Sequence, residues 1–228
     1  MRDSVIRPAI LDERLWFPPP GAALQGAEVG GLIAIGGDLS VERLLLAYRS
    51  GIFPWTENPV TWWTPDPRAI FDLERFAVSR SLARTIGRGR FEVTCDRAFR
   101  AVMDGCAEHS PARPTTWITP AFVAAYQRLH AAGFAHSVEC WREGQLAGGI
   151  YGVAIGGFFA GESMFHRVTD ASKVALASLV EHLRARQFSL FDIQTLTPHT
   201  RRLGASEIPR QEYLRQLAEA LALDRSWT

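Results

Sequence analysis

The segment "HSVECWREGQLAGGIYGVAIGGFFAGESMFHR", from His136 to Arg167, constrains the fold more than any other stretch of the chain. Its aromatic and β-branched runs are interrupted at Glu143-Gly144 and at Gly156-Gly157. Pairs of that kind supply the positive φ angles of two-residue turns, so the spacing predicts two consecutive hairpins and an antiparallel meander. Helical patterns stand on both sides of it. Asp96 is placed to cap a helix running through Met103, and Thr119-Pro120 opens another that Gly133 closes, because proline suits the first helical position and glycine the C-terminal cap. After the meander, Ala171 to Arg186 carries Val174, Ala177, Leu179 and Leu183 on one side, at helical spacing. A strand "FSLFDIQTL" and a helix after Pro209 follow. Before the meander, a short helix over Ser81 to Ile86 leads to a strand "FEVTC". This order predicts an α+β domain with its last helix crossing the sheet.

The first third reads differently. "WFPPPGAAL" fixes an extended path, and Ser40 caps a helix with Val41, Leu44, Leu45 and Tyr48 on its apolar face, ended by Gly51. "GIFPWTENPVTWWTPDPRAIF" reads as loop, rich in proline and tryptophan. With 228 residues, one domain plus a small companion is the expected size, and the boundary is placed near Trp63 to Arg68, giving 1–66 and 67–228.

Composition excludes several classes. A hydrophobic share of 47% with 21% charged residues is that of an ordinary globular chain, not a disordered one. No apolar run approaches the ~18 residues that a bilayer requires, and "MRDSVIRPAILDERLW" lacks a secretory core, so a cytoplasmic location away from membranes is expected. Cys95, Cys106 and Cys140 are scattered and odd in number, which predicts three buried thiols and neither a disulfide framework nor a metal site. The net charge of +1 is unevenly distributed: Arg75, Arg80, Arg84, Arg88 and Arg90 occur without an intervening acid. Arg80, Arg84 and Arg88 recur every fourth residue and make one candidate RNA-binding stripe, although a solvated helix face has the same spacing.

Three polar side chains sit in apolar surroundings. Asp192 and Gln194, two apart on a strand flanked by Leu190, Phe191, Ile193 and Leu196, share a face and lie within reach of each other or of a common ligand. A carboxylate accepting from the amide NH2 would leave the amide oxygen turned toward a donor such as an amine. Glu162 follows a glycine between Phe158-Phe159 and Met164-Phe165, where an acid needs a partner. Arg167 is the bland candidate for that partner, and a bound ammonium is the functional one. His166 and His199 have no nucleophile pattern nearby and read as structural. "RTIGRG" matches the R-x-x-G-x-G phosphate loop of acetyltransferases but follows a helix and precedes a strand, the reverse of what pyrophosphate binding needs. "HRVTDASK" stands after the strand ending at Phe165, and its Asp170 would repel a pyrophosphate.

"FPPP", "GLIAIGGDLS", "AYRSGIFPW", "WWTPDPRAIF", "GGIYGVAIGGFFAGESMF", "ASKVAL", "FDIQ" and "LGASEIPRQEYL" together resemble the bacterial leucyl/phenylalanyl-tRNA–protein transferases, from Phe17 to Leu214. The resemblance implies a small N-terminal domain and a larger acetyltransferase-like (GNAT-like) C-terminal domain. It implies transfer of leucine or phenylalanine, with methionine a further candidate, from aminoacyl-tRNA to the N-terminal arginine or lysine of a protein, which creates a degradation signal. No cofactor or metal is implied, and the chain is expected to act as a monomer. By the same resemblance Asp192 and Gln194 match the catalytic strand pair and Glu162 the active-site acid. Trp55 and Trp117, with Tyr48 and Tyr126, match the terminal-adenosine site. Ile150, Phe159, Met164, Leu176, Leu179 and Phe191 match the aminoacyl pocket. Thr197 departs from the asparagine of some relatives, and Ile150 and Leu179 replace larger or softer residues, which bears on the balance between leucine and phenylalanine. An acetyl-CoA-dependent N-acetyltransferase and a non-catalytic tRNA-binding module are the alternatives. Binding of acetyl-CoA would mark the first, and tRNA binding indifferent to charging the second.

Overall fold

The computed structural model describes residues 7–26, 30–109 and 115–228. Residues 1–6, part of the segment read above for a secretory signal, lie outside them. The chain builds two sheets. The smaller has β1 (Ala9–Leu11), β2 (Leu32–Gly36), β3 (Phe53–Glu57) and β4 (Val60–Trp63) in the order β1-β2-β4-β3. The larger has β5 (Arg68–Phe71), β6 (Glu92–Cys95), β7 (Ala135–Arg142), β8 (Gln145–Ile155), β9 (Phe158–His166), β10 (Leu190–Gln194) and β11 (Ala205–Ile208) in the order β11-β5-β10-β9-β8-β7-β6. The helices are α1 (Val41–Arg49), α2 (Arg80–Gly87), α3 (Phe99–Ala107), α4 (Pro120–Ala131), α5 (Ala171–Ala185), α6 (Pro198–Arg202) and α7 (Arg210–Leu221).

The meander forms as its turns require: Glu143 and Gly144 have φ of 53° and 75°, and Gly156 has φ 57°. β7, β8 and β9 pair antiparallel, then α5 carries the chain across so that β10 runs parallel to β9. Ser40 and Thr119 cap α1 and α4, each hydroxyl accepting a backbone N–H.

The stretch expected to be loop contains β3, β4 and β5. Pro54 lies on an edge strand of its sheet, where a missing N–H is tolerated, and Trp62 anchors the inner strand β4 with no exposed surface and its Nε1 donating to the Gly36 carbonyl at 2.9 Å. Asp96 does not cap α3. It sits at φ 56° and accepts from the Ser137 N–H at 2.8 Å, while Glu139, from the neighbouring strand, accepts the Arg97 and Ala98 N–H groups at 3.4 Å each. A capping search along the local sequence cannot find a donor-acceptor match that crosses 41 positions.

Alternation on the large sheet sorts its side chains. Tyr151, Val153 and Phe158 join Phe99, Val102, Phe122, Tyr126, Tyr213 and the small sheet's Trp62 in one core, whereas Ile150, Phe159 and Phe191 join Phe71, Leu176, Leu179, Leu183 and Trp227 in the other. Cys106 and Cys140 are buried as expected, but Cys95 is exposed, because β6 is the edge strand of the large sheet.

Candidate active site

β9 and β10 pair in parallel from Phe158↔Leu190 to Ala160↔Asp192 and then part. Each strand is irregular just there. β9 carries one extra residue between Gly161 and Ser163 relative to β8, and that residue is Glu162; β10 carries an extra residue between Asp192 and Gln194 relative to β5. Bulges redirect side chains, and these two turn Glu162 and Gln194 toward one another in the gap beyond the carboxyl ends of the parallel pair. Gln194 Nε2 donates to Glu162 Oε1 at 3.2 Å. Gly161 is required here, since a Cβ at that position would come within 2.9 Å of the Phe191 ring.

Beneath Gln194 lies Asp192, with no exposed surface. Arg68 clamps it through Nε at 2.9 Å and Nη2 at 2.6 Å, Tyr213 donates at 2.9 Å, and the Gln194 backbone N–H donates to Oδ1 at 2.9 Å. The last bond holds Gln194 at φ 60°, which ends the strand two residues before Leu196. Arg68 also donates from Nη1 to the Gly51 carbonyl at 3.0 Å and lies over the rings of Phe53 and Tyr213, at 4.9 and 4.4 Å. Burial is the largest single influence and works against its charge, but Asp192, Tyr213 and Glu162 together outweigh it and raise the guanidinium pKa.

Glu162 is half-buried and has no cation in direct contact among the described residues. The Tyr48 hydroxyl lies 2.7 Å from Oε1 and that of Tyr126 3.3 Å from Oε2, and the two hydroxyls also meet in a short contact, so two phenolic protons serve three contacts. Burial is the largest influence on this carboxyl and pushes it up to about 7. The Tyr48 and Tyr126 hydrogen bonds and Arg68 oppose that rise, and the charge of Asp192 adds to it.

Glu162 and Gln194 open onto a cavity of about 210 Å³ whose walls are largely apolar: Phe53, Phe71, Ile150, Met164, Leu176, Phe191 and Ile193, with Thr195, Thr197 and Thr200 at one side. Trp55, Trp117 and Ser163 are shared with an adjoining groove that also includes Glu57, Asn58 and Thr119. Trp55 is 43% exposed, a ready platform for a planar group.

The structure therefore brings together most of the residues singled out in the sequence, with changes of place. Ile150, Met164, Leu176 and Phe191 line the cavity, but Phe159 and Leu179 lie behind its wall, 1% and 0% exposed. Tyr48 and Tyr126 are buried beneath Glu162 and offer no face for stacking. Asp192 accepts the backbone of Gln194; the side-chain NH2 goes to Glu162 instead. Arg167 does not reach Glu162 and pairs with Glu108. Arg80, Arg84 and Arg88 are exposed along α2 and its C-cap, outside the cavity, and none forms an ion pair among the described residues. His166 and His199 do not line the cavity.

Arg68 and Tyr213 escaped the sequence reading. Their partner lies 124 and 21 positions away, yet an arginine heading the apolar run "RAIF" is the signal that could have raised the first. Among the described residues one cluster has metal-ligand chemistry, Asp96 with His130 and His136, and none of the three lines the cavity. It does not suit a cation. Both His136 nitrogens already have oxygen partners in the protein, Asp96 at 2.7 Å and the Gly133 carbonyl at 3.1 Å, so a metal would have to displace one of these contacts.

Residues 70–218 match the family model for leucyl/phenylalanyl-tRNA protein transferase, and residues 37–66 match that family's N-terminal domain. Curated leucyl/phenylalanyl-tRNA–protein transferases from Syntrophotalea carbinolica and Syntrophobacter fumaroxidans are 52% and 53% identical, over 92% of this chain in both cases and 91% and 89% of theirs. Among solved structures, a GCN5-related N-acetyltransferase from Sphaerobacter thermophilus matches 80% of this chain and 59% of its own, at 15% identity and a TM-score of 0.38. With the family model covering well over half of the residues and relatives this similar along nearly the whole length, the chain belongs to the leucyl/phenylalanyl-tRNA protein transferase family and is an aminoacyltransferase.

Proposed function

We propose that this protein moves leucine or phenylalanine, with methionine a further candidate, from its tRNA to the N-terminal arginine or lysine of an acceptor protein. The new N-terminus then serves as a degradation signal. The observation that carries the reading is the orientation of Gln194. Its backbone is tied to Asp192 and its NH2 to Glu162, so the amide oxygen is turned away from the carboxylate and has no partner among the described residues, at the wall of an apolar cavity. An incoming amine can donate to that oxygen while it attacks the aminoacyl carbonyl; the amide bond forms as the ester bond breaks, the amine nitrogen gives up a proton, and the tRNA's terminal ribose leaves as the free hydroxyl.

The reaction needs little more than this. An aminoacyl ester is already activated, so the enzyme's main work is to hold amine and carbonyl in register. An N-terminal amine has a pKa of about 8, which leaves a useful neutral fraction near neutral pH. Ile150, Met164, Leu176 and Phe191 surround the hydrocarbon side chain in this reading, and Trp55 and Trp117 hold the terminal adenosine. Glu162 takes the aminoacyl ammonium, for which Oε2 has capacity to spare, its only partner among the described residues being the 3.3 Å contact from Tyr126. Arg80, Arg84 and Arg88 take tRNA phosphates.

The partition of the chain at residues 66 and 67 belongs to the same proposal; the two sheets divide between Trp63 and Arg68, which supports it. We extend the reading to a cytoplasmic monomer. In support, one chain supplies every group of the network, and no helix among the described residues is long and apolar enough to cross a membrane. Purified protein should transfer leucine from leucyl-tRNA to a peptide that begins with arginine, without nucleotide or added metal. No transfer with competent substrates would overturn the reading.

A further inference from the structure

The back wall of the cavity is three rings deep. Phe191 lines it, Phe159 packs edge-on against Phe191 with ring centroids 5.5 Å apart, and the Trp227 indole lies nearly parallel to Phe159, at 5.5 Å and 21°. Trp227 is 5% exposed and is fixed from outside this stack. His136 stacks on it at 4.6 Å and 13°, and His182 Nε2 bonds to its carbonyl at 2.9 Å. His136 is held in turn by Asp96 and by the Gly133 carbonyl. Trp227 lies nine residues beyond the span matched by the family model, which ends at 218.

Protein interiors transmit such contacts because they are close-packed: a ring removed from the outer layer leaves space that its neighbour relaxes into. The Phe191 ring also meets that of Phe71, likewise cavity-lining, at 5.3 Å, and an outward movement of Phe159 gives Phe191 room to shift and enlarges the cavity at this wall. We propose that Trp227 is a positioning residue that sets the length of side chain the cavity accepts, by holding Phe159 against Phe191. The inference rests on the reading of this cavity as the aminoacyl pocket.

The test compares kcat/KM for leucyl-tRNA and phenylalanyl-tRNA, with one acceptor peptide, in Trp227→Ala, Trp227→Leu and Trp227→Phe, alongside the unfolding midpoint of each. Trp227→Ala should raise the phenylalanine-to-leucine ratio by about tenfold, the lower end of the scale on which apolar pockets discriminate by size, with Trp227→Leu between and Trp227→Phe within about twofold of the parent. A merely structural role would lower both substrates together and leave the ratio unchanged. That result in Trp227→Ala, or in Trp227→Leu where the alanine variant does not fold, overturns the proposal. Ile150→Ala separates the two readings: a changed ratio there with none at Trp227 leaves the aminoacyl pocket standing and removes Trp227 from it. Absence of transfer by the parent protein removes the pocket reading itself.

Discussion

Two carboxylates stand within one hydrogen-bonded network and are handled in opposite ways. Asp192, at the back, has no exposure, an arginine across both oxygens, and two further donors. Glu162, at the mouth, has only uncharged donors, two phenols and an amide. A buried charge with a cation and a full set of donors is a fixture; the same group held by neutral donors beside a cavity keeps its affinity for a proton or a cation. The difference separates the group that orients from the group that can respond.

Breaking the back should have the largest effect. Arg68→Met leaves Asp192 buried without its cation and should cost about 3–5 kcal/mol of stability, read as a lowered urea midpoint with unchanged slope. Gln194→Ala tests the hinge between the two regions. Turnover should fall by about 2–4 kcal/mol of transition-state stabilisation while aminoacyl-tRNA affinity changes little, measured by single-turnover rates against binding. A parallel loss of binding would assign Gln194 to substrate affinity instead.

The mouth is probed by pH. With its carboxyl at about 7 in the free protein, Glu162 ionises across neutrality, so kcat/KM for leucyl-tRNA should rise through that pH, below the rise due to the acceptor amine near about 8, and Glu162→Gln should lose the lower limb. Stability runs the other way. The folded pKa lies above the ordinary carboxyl value, so the contribution of the protonated form is complete below about 4.5 and is lost as pH rises through about 7. Glu162→Gln should therefore gain stability relative to the parent above neutrality. Tyr48→Phe sharpens the same point on a smaller scale: the Tyr48 hydroxyl favours the ionised form, so its removal should move the limb to higher pH and cost about 1 kcal/mol. Smallest for each carboxylate is the effect of Arg84→Gln on α2. It should leave both pH behaviour and turnover alone and reduce the salt slope of tRNA binding by about one.

What was legible in the sequence follows the range of the interactions. Helix α4, with Thr119, Pro120 and Gly133 at its ends, and the two turns of the meander are written in residues a few positions apart. The identity of Asp192, Gln194 and Glu162 as site residues was legible too, because polar side chains in apolar strands stand out locally. Their partnership was not. Which donor meets which acceptor depends on the two bulges, and a bulge adds one residue without any change in composition. The same limit explains Phe159 and Phe191: both are buried aromatics in strands, paired side by side, and which of them lines the cavity is decided by packing from distant parts of the chain, Phe71 on Phe191 and Trp227 on Phe159.

Arg68 has a consequence for how the molecule can be divided. Through Nη1 it fastens the Gly51 carbonyl, at the end of α1, to the group that orients Gln194, and the same helix supplies Tyr48 to Glu162. The smaller sheet is thus no detachable accessory. A fragment that starts at residue 67 would keep Asp192 with Arg68 and Tyr213, yet lose Tyr48 from Glu162 and the Gly51 carbonyl from Arg68, so truncation loosens the mouth before it touches the back.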